Sequence, residues 1–369
     1  AAAGDAFLQS ANSGERRGEH RRWEQALVSL AFVSYITGHI TESLAIYRQV
    51  FTSGYRFGDT QVQSWGLLGM VQLSLSRGMV DDALQLMSTY DTLADKQGRE
   101  AEADAFCAQV LAHGMHAVAL LRKGNAESAM FIAEKALTRL EQLGGWPSVY
   151  TFQPYLSLLE VFCTLLADAK EQGYTDAARD LVGVLGRLVA LMAAYAKIFP
   201  LGRPRYHLAA GLLKHLSGEP PATAAKEWKR AMHEASEIGW TYEEGHIALE
   251  VALHLPLGSE ERSAWLVEAG QCFLTEGIEH DFLWVQDLLQ LERTEGRNPY
   301  DTFMDMTTSH TLSTVHDMDT TEPSPESEHG GPSQSVVSNG RGQHLSSSVF
   351  TTQNSLLSEN DNPWGESVA

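Results

Sequence analysis

The sequence predicts an all-α protein, a solenoid of about six helix pairs followed by a disordered tail. Three observations predict it. A short glycine-centred pattern recurs along the chain. Apolar residues between its copies fall at the helical period of about 3.6 residues. Alternating strand patterns of useful length are missing, which disfavours a sheet.

The recurring pattern is a Gly, about four polar or small residues, then Ala or Leu opening an amphipathic run. It reads Gly38-His39-Ile40-Thr41-Glu42-Ser43-Leu44, and again Gly78-Met79-Val80-Asp81-Asp82-Ala83-Leu84. Further copies start at Gly124 and Gly173, with a looser one at Gly218-Glu219-Pro220-Pro221-Ala222. Gly relieves the left-handed strain of a helix C-terminus. Thr41, Asp81 and Thr175 are expected to accept the orphan N–H groups of the helix that follows. Each copy therefore marks a turn between two antiparallel helices, and each pair is expected to stack on the next.

The pairs are placed at 18–37 with 41–53, 59–77 with 79–96, and 100–122 with 125–143. They continue at 154–171 with 175–198, 204–216 with 221–238, and 241–255 with 259–276, with a capping helix at 279–291. Leu158, Leu159, Phe162, Leu165 and Leu166 form one apolar face, and Leu181, Val184, Leu185, Leu188 and Leu191 another. Most of the tryptophans of this region (Trp23, Trp65, Trp146, Trp228, Trp240, Trp265, Trp284) are expected to wedge between helices. The Gly144-Gly145-Trp146-Pro147 break either divides the array or interrupts it only locally.

Residues 1–17 read as a flexible or partly helical lead-in and 18–295 as the helical repeat domain. Residues 296–369 read as a disordered acidic tail, rich in Ser and Thr and poor in large apolar residues, unable to offset its ordering entropy by burial. The amino end reads Ala1-Ala2-Ala3-Gly4 without Met, which suggests a piece of a longer protein.

Trp65, Leu68 and Gly69 stand in the W-x-x-L-G spacing that opens a TPR helix. On these residues the chain resembles TPR proteins, which implies a TPR-like α-solenoid with a concave groove for a protein or peptide segment. The period is longer than the usual 34 residues, and the other first helices lack the full motif. A second resemblance lies in 195–255. There the chain reads Phe199-Pro200-Leu201-Gly202-Arg203-Pro204-Arg205, then Leu216-Ser217-Gly218, Trp228, Ala231 and Ala235, then Gly239-Trp240-Thr241-Tyr242-Glu243-Glu244-Gly245. This is similar to the helical-repeat tail of large class III nucleotide cyclases that carry a P-loop ATPase domain, the soluble adenylate cyclase type. The resemblance covers roughly 60 residues and transfers no catalytic residue. It implies a regulatory tail contacting upstream domains of the same protein.

Composition narrows the function further. The formal net charge is −20, which repels nucleic acid and anionic surfaces at long range. No apolar run reaches the roughly 18 residues needed to span a bilayer. Cys107, Cys163 and Cys272 are odd in number and widely spaced, so no disulfide framework or thiolate zinc site is expected, and a reducing, cytoplasmic setting is.

No G-x-x-x-x-G-K-[ST], H-E-x-x-H or G-x-S-x-G motif occurs. The expectation is a non-catalytic interaction or regulatory scaffold without a cofactor or metal. The alternative is the regulatory tail of a nucleotide cyclase. His113 and His116 share one helix face but lack a third metal ligand nearby. Arg16, Arg17, His20, Arg21 and Arg22 form a basic cluster, as do Lys226, Lys229, Arg230 and His233; both read as solvated helix faces. Tyr35, Gln72 and His116, late on first helices, are the candidates for the partner groove. Ser324 and Ser327, in Ser324-Pro325-Glu326-Ser327-Glu328, are candidate phosphorylation sites.

Overall fold

The computed structural model describes residues 2–97, 103–143 and 149–294. These residues are helical throughout, with no strand among them. Fourteen α-helices follow in order: α1 (Ala2–Arg17), α2 (His20–Ile36), α3 (Ile40–Phe57), α4 (Thr60–Ser76), α5 (Val80–Gln97), α6 (Ala103–Arg122), α7 (Ala126–Leu143), α8 (Phe152–Glu171), α9 (Thr175–Ile198), α10 (Arg203–Leu216), α11 (Pro221–Glu237), α12 (Thr241–Leu253), α13 (Glu260–Glu276) and α14 (Glu279–Thr294). Short 3₁₀ turns, Val149–Thr151 and Pro200–Gly202, lead into α8 and α10. Residues 2–17 form a helix packed on α2. The tail 296–369, with Ser324 and Ser327, and the 144–147 break lie outside the described residues.

The glycines of the repeat pattern behave as their chemistry requires. Gly38, Gly78, Gly124, Gly173 and Gly218 all have φ between 70° and 82°. At Gly38 the turn closes with Gly38 N–H on the Tyr35 carbonyl and His39 N–H on the Ser34 carbonyl, at 3.0 and 2.8 Å. The same two-bond closure recurs at the other four, which satisfies carbonyls that a helix end leaves open.

The expected capping by Thr41, Asp81 and Thr175 does not occur. The turns are one or two residues tighter than the sequence pattern implies. α3 and α9 start at Ile40 and Thr175, directly after His39 and Tyr174, and neither of those cap residues accepts a side-chain bond. Thr41, Asp81 and Thr175 therefore lie inside the first turn. Side-chain capping is found instead at Asp59, which accepts from Val62 N–H at 3.0 Å, and at Asn125 and Ser259.

Along the series α2, α4, α6, α8, α10 and α12 each helix touches the next, while the odd-numbered helices pack between their chain neighbours. α6 and α8 are in direct contact, so the helices on either side of the 144–147 break share one core. That core is a single cluster running from Ala11 to Leu288. Its ends also meet. Trp240 Nε1 donates to the Ile36 carbonyl, and Gly38 lies against Ile278 and Tyr242 so closely that a Cβ there would fall 2.5 Å from Ile278 Cδ1.

The expectation that no apolar stretch is long enough to cross a membrane is corrected. The segments Val149–Glu171 and Thr175–Ile198 are long and apolar enough by length and composition. Scattered polar residues such as Gln153, Ser157 and Arg187 interrupt the apolar runs without lowering the average below that of a span. The first segment is 67% buried among other helices, so its apolarity serves the protein core.

Gly69 is one of several glycines that permit close helix approach. A Cβ there would lie 2.2–2.4 Å from the ring of the buried Tyr47, so α3 and α4 meet at a distance only Gly allows. Trp65, one turn earlier, carries the Arg21 guanidinium 4.4 Å above its ring. Gly69→Ala should destabilise the fold by about 1–3 kcal/mol, lowering Tm by on the order of 5 °C. Gly183→Ala in α9, where the added methyl meets nothing within 4 Å, should leave Tm unchanged or raise it. Thermal melts followed by circular dichroism check both.

Candidate functional site

The even-numbered helices converge on one polar cavity of about 140 Å³. It is lined from α2, α4, α6, α8, α10, α12 and α14. No single helix pair could build it, and its residues are spread over some 250 positions of sequence. A second cavity of about 320 Å³ adjoins it among α2, α4, α6 and the Val149–Thr151 turn, lined largely by apolar side chains such as Val28, Phe32, Leu68 and Leu111. Gln72 and Gln153 belong to both walls.

Two of the three residues proposed for a groove meet here. Gln72 Nε2 donates to Gln153 Oε1 at 2.8 Å, and Tyr35 Oη reaches the same oxygen at 3.5 Å. Burial pushes the Tyr35 hydroxyl above its ordinary pKa, so it remains a donor at neutral pH. His116 lies elsewhere. It is half-buried on α6 near Asp91, and burial lowers its pKa against that carboxylate's pull. Its neighbour His113 is pushed down to about 4 by burial and by Arg139 and Lys135. No group of three His, Cys, Asp or Glu able to hold a metal ion occurs among the described residues.

The polar groups of this cavity include two arginines and four carboxylates. Arg205 forms an ion pair with Glu243, Nη2 donating to Oε2 at 3.0 Å and Nε lying against Oε1. Both residues are under 9% exposed. Burial opposes each charge, while the pairing keeps Arg205 protonated. Arg122 makes a bidentate pair with Glu160, at 2.7 and 3.0 Å, and also donates to the Leu75 carbonyl at 2.6 Å. Tyr242 donates to Asp281 Oδ2 at 3.1 Å, and His246 Nε2 lies 3.7 Å from the same oxygen. Burial holds His246 down to about 4, so it is neutral at pH 7.

Glu250 completes the wall. It sits two turns after Glu243 on α12, and its carboxylate takes no hydrogen bond from any described residue. Burial raises its pKa to about 7, against the pull of Arg205 and Arg122 and with a push from Glu160 and Glu243. It is half-buried, because it faces the cavity rather than the core. Two arginines thus face four carboxylates, Glu160, Glu243, Glu250 and Asp281.

Sequence reasoning missed Gln153, Arg122, Arg205 and Glu250. Arg205 and Glu243 were visible only as parts of a turn-and-triplet pattern. Gln153 and Glu250 carry no motif and are singled out only by where α8 and α12 set them.

The basic clusters separate in the same way. Arg21 bonds Asp59 at 2.8 Å and covers Trp65, so it ties α2 to the start of α4. Lys226, Lys229, Arg230 and His233 are all exposed along one face of α11. Cys107, Cys163 and Cys272 form no disulfide with a described residue; burial raises the pKa of Cys163 and takes Cys272 up to about 11, which leaves neither of these two a ready nucleophile.

Glu250 also sets a pH dependence. Its folded pKa lies above the ordinary 4.5, so the folded state binds the extra proton and loses stability as pH rises from about 4.5 to about 7. Glu250→Gln removes that loss. The variant's stability relative to the parent should grow by roughly 1–3 kcal/mol across this window and then level off. The depressed histidines act oppositely but equally in both proteins. Urea unfolding at pH 5, 6, 7 and 8 measures the difference; a constant offset would show that Glu250 titrates normally.

Neither a family model nor a curated protein matches this chain.

Proposed function

We propose that this chain is a non-catalytic interaction or regulatory scaffold, a TPR-like α-solenoid whose inner face takes a protein or peptide segment. The observation that carries the reading is the convergence of seven helices on one inner cavity that adjoins an apolar one. A row of helices that shares a continuous core leaves a long inner wall, which is the surface such arrays use for binding. Tyr35, Gln72 and Gln153 stand where the two cavities meet, so a bound segment would exchange its backbone polar groups with theirs. The high pKa of the buried thiols fits a binding role better than thiol chemistry. The cysteines, none of them in a disulfide among the described residues, fit a reducing, cytoplasmic setting.

Selection of a random peptide library against the purified chain tests this reading. Convergent sequences should be recovered, and Gln153→Trp, which fills the junction of the two cavities, should weaken them at least tenfold with helicity unchanged. Recovery of no convergent sequence, or full binding by the helical variant, rejects it.

A second reading has its own support. The two segments similar to cyclase tails are the ones that meet: Arg205 follows the Gly-Arg-Pro turn, Glu243 lies in the Tyr-Glu-Glu triplet, and they form the most buried ion pair of the cavity. On this reading the scaffold is the regulatory tail of a nucleotide cyclase and relays binding to catalytic and ATPase domains. Sequencing the transcript upstream of the codon for Ala1 decides it. An open frame with a P-loop and a cyclase domain is expected, and a start codon close to Ala1 removes the idea.

A further inference from the structure

The polar cavity is unequal in charge, and the inequality is localised. Arg122 and Arg205 each have a carboxylate of their own, Glu160 through two hydrogen bonds and Glu243 through one. Asp281 has Tyr242 and His280 as donors, the latter at 3.0 Å. Glu250 alone among the four carboxylates on the wall takes no hydrogen bond from a described residue. A carboxylate in that position either keeps water or waits for a donor, since a half-buried acceptor without a partner costs free energy.

The space in front of it suits a donor larger than water. About 140 Å³ is close to the size at which an engineered cavity takes a six-carbon ring. Trp240, Tyr242, Phe152 and Trp284 contribute to the same wall, and aromatic faces favour organic cations over hydrated metal ions. An anion would meet four carboxylates against two arginines that are already paired.

From this geometry, and resting on the scaffold reading above, we propose that the cavity is the specificity pocket for a basic side chain of a bound peptide, with Glu250 as its counter-ion. The adjoining apolar cavity, reached past Gln72 and Gln153, takes a large apolar side chain next to it. The recognised segment is thus an apolar residue beside an arginine or lysine. The acidic charge of the chain as a whole favours encounter with such a segment.

Binding by this device depends on pH. The charged or titratable groups around Glu250 are Arg122 on α6, Glu160 and Cys163 on α8, Arg205 on α10, and Glu243, His246 and His254 on α12. Tyr35 on α2 and Asp281 on α14 complete the set. Burial raises Glu250 to about 7 and raises Glu243 as well, while it holds His246 and His254 down to about 4. Affinity for a basic residue should therefore rise from pH 6 to pH 8 as Glu250 ionises.

The test is isothermal titration of the full chain with two probes, N-acetyl-Phe-Arg-amide and N-acetyl-Phe-Gln-amide. The arginine probe should bind about tenfold tighter at pH 8. That advantage should shrink at pH 6 and vanish in Glu250→Gln, a near-isosteric variant that adds no volume. Equal affinity for the two probes, or an unchanged advantage in Glu250→Gln, overturns the proposal. Should the variant fold poorly, the pH series on the unaltered chain decides the same question. Selected peptides that bind but show no basic residue and no sensitivity to Glu250→Gln would sink this proposal and leave the scaffold reading standing. Failure of any peptide to be selected would remove the scaffold reading itself.

Discussion

The open carbonyl end of the α-helix is what this architecture must satisfy again and again. A helix ends with carbonyls that have no partner of their own, and here those ends are brought against neighbouring helices. The glycine turns close some of them locally. Others are met from across the array. Arg122 on α6 donates to Leu75 of α4, and Lys170 on α8 to Leu216 of α10. His215 of α10 bonds the His254 carbonyl, Arg262 on α13 reaches the carbonyls of Ala252 and Leu255, and Trp240 reaches Ile36. Each contact joins a helix, or the turn beside it, to another helix, so satisfying the helix ends also fixes how far one helix is displaced along the next.

That requirement places cations inside. Arg122, Arg205 and Arg262 are each wholly or largely withdrawn from water and each carries its own carboxylate, Glu160, Glu243 and Glu292. A buried pair of this kind contributes little net stability, but loss of one member leaves a bare charge and is costly. The pairs therefore act as register marks between helices more than as a source of stability. Glu250 departs from the rule, a carboxylate on the same wall that takes no hydrogen bond from a described residue.

The helix pattern was legible in the sequence because it depends on local chemistry. α9 was expected at 175–198 and spans Thr175–Ile198. Glycine that must enter the left-handed region and apolar residues at helical spacing are both visible without a structure. Capping was misread for the same local reason: Thr41, Asp81 and Thr175 are good cap residues, but the tight glycine turn starts the helix before any of them can act. Tyr35 and Gln72, chosen from their place late on first helices, both line the cavity. His116 has the same place, yet the turn of α6 sets it beside Asp91 and away from the cavity.

The sequence by itself determined that this chain is helical, roughly where most of its helices lie, and which glycines turn the chain. Those properties arise from a few neighbouring residues. Only the tertiary structure decided that Arg205 meets Glu243, that Tyr35 and Gln72 meet Gln153, and that Glu250 faces a cavity and takes no hydrogen bond from a described residue. These contacts join residues from 38 to 118 positions apart. They follow from the angle and offset between stacked helices, small quantities set by side-chain packing along the whole row, which no local pattern encodes.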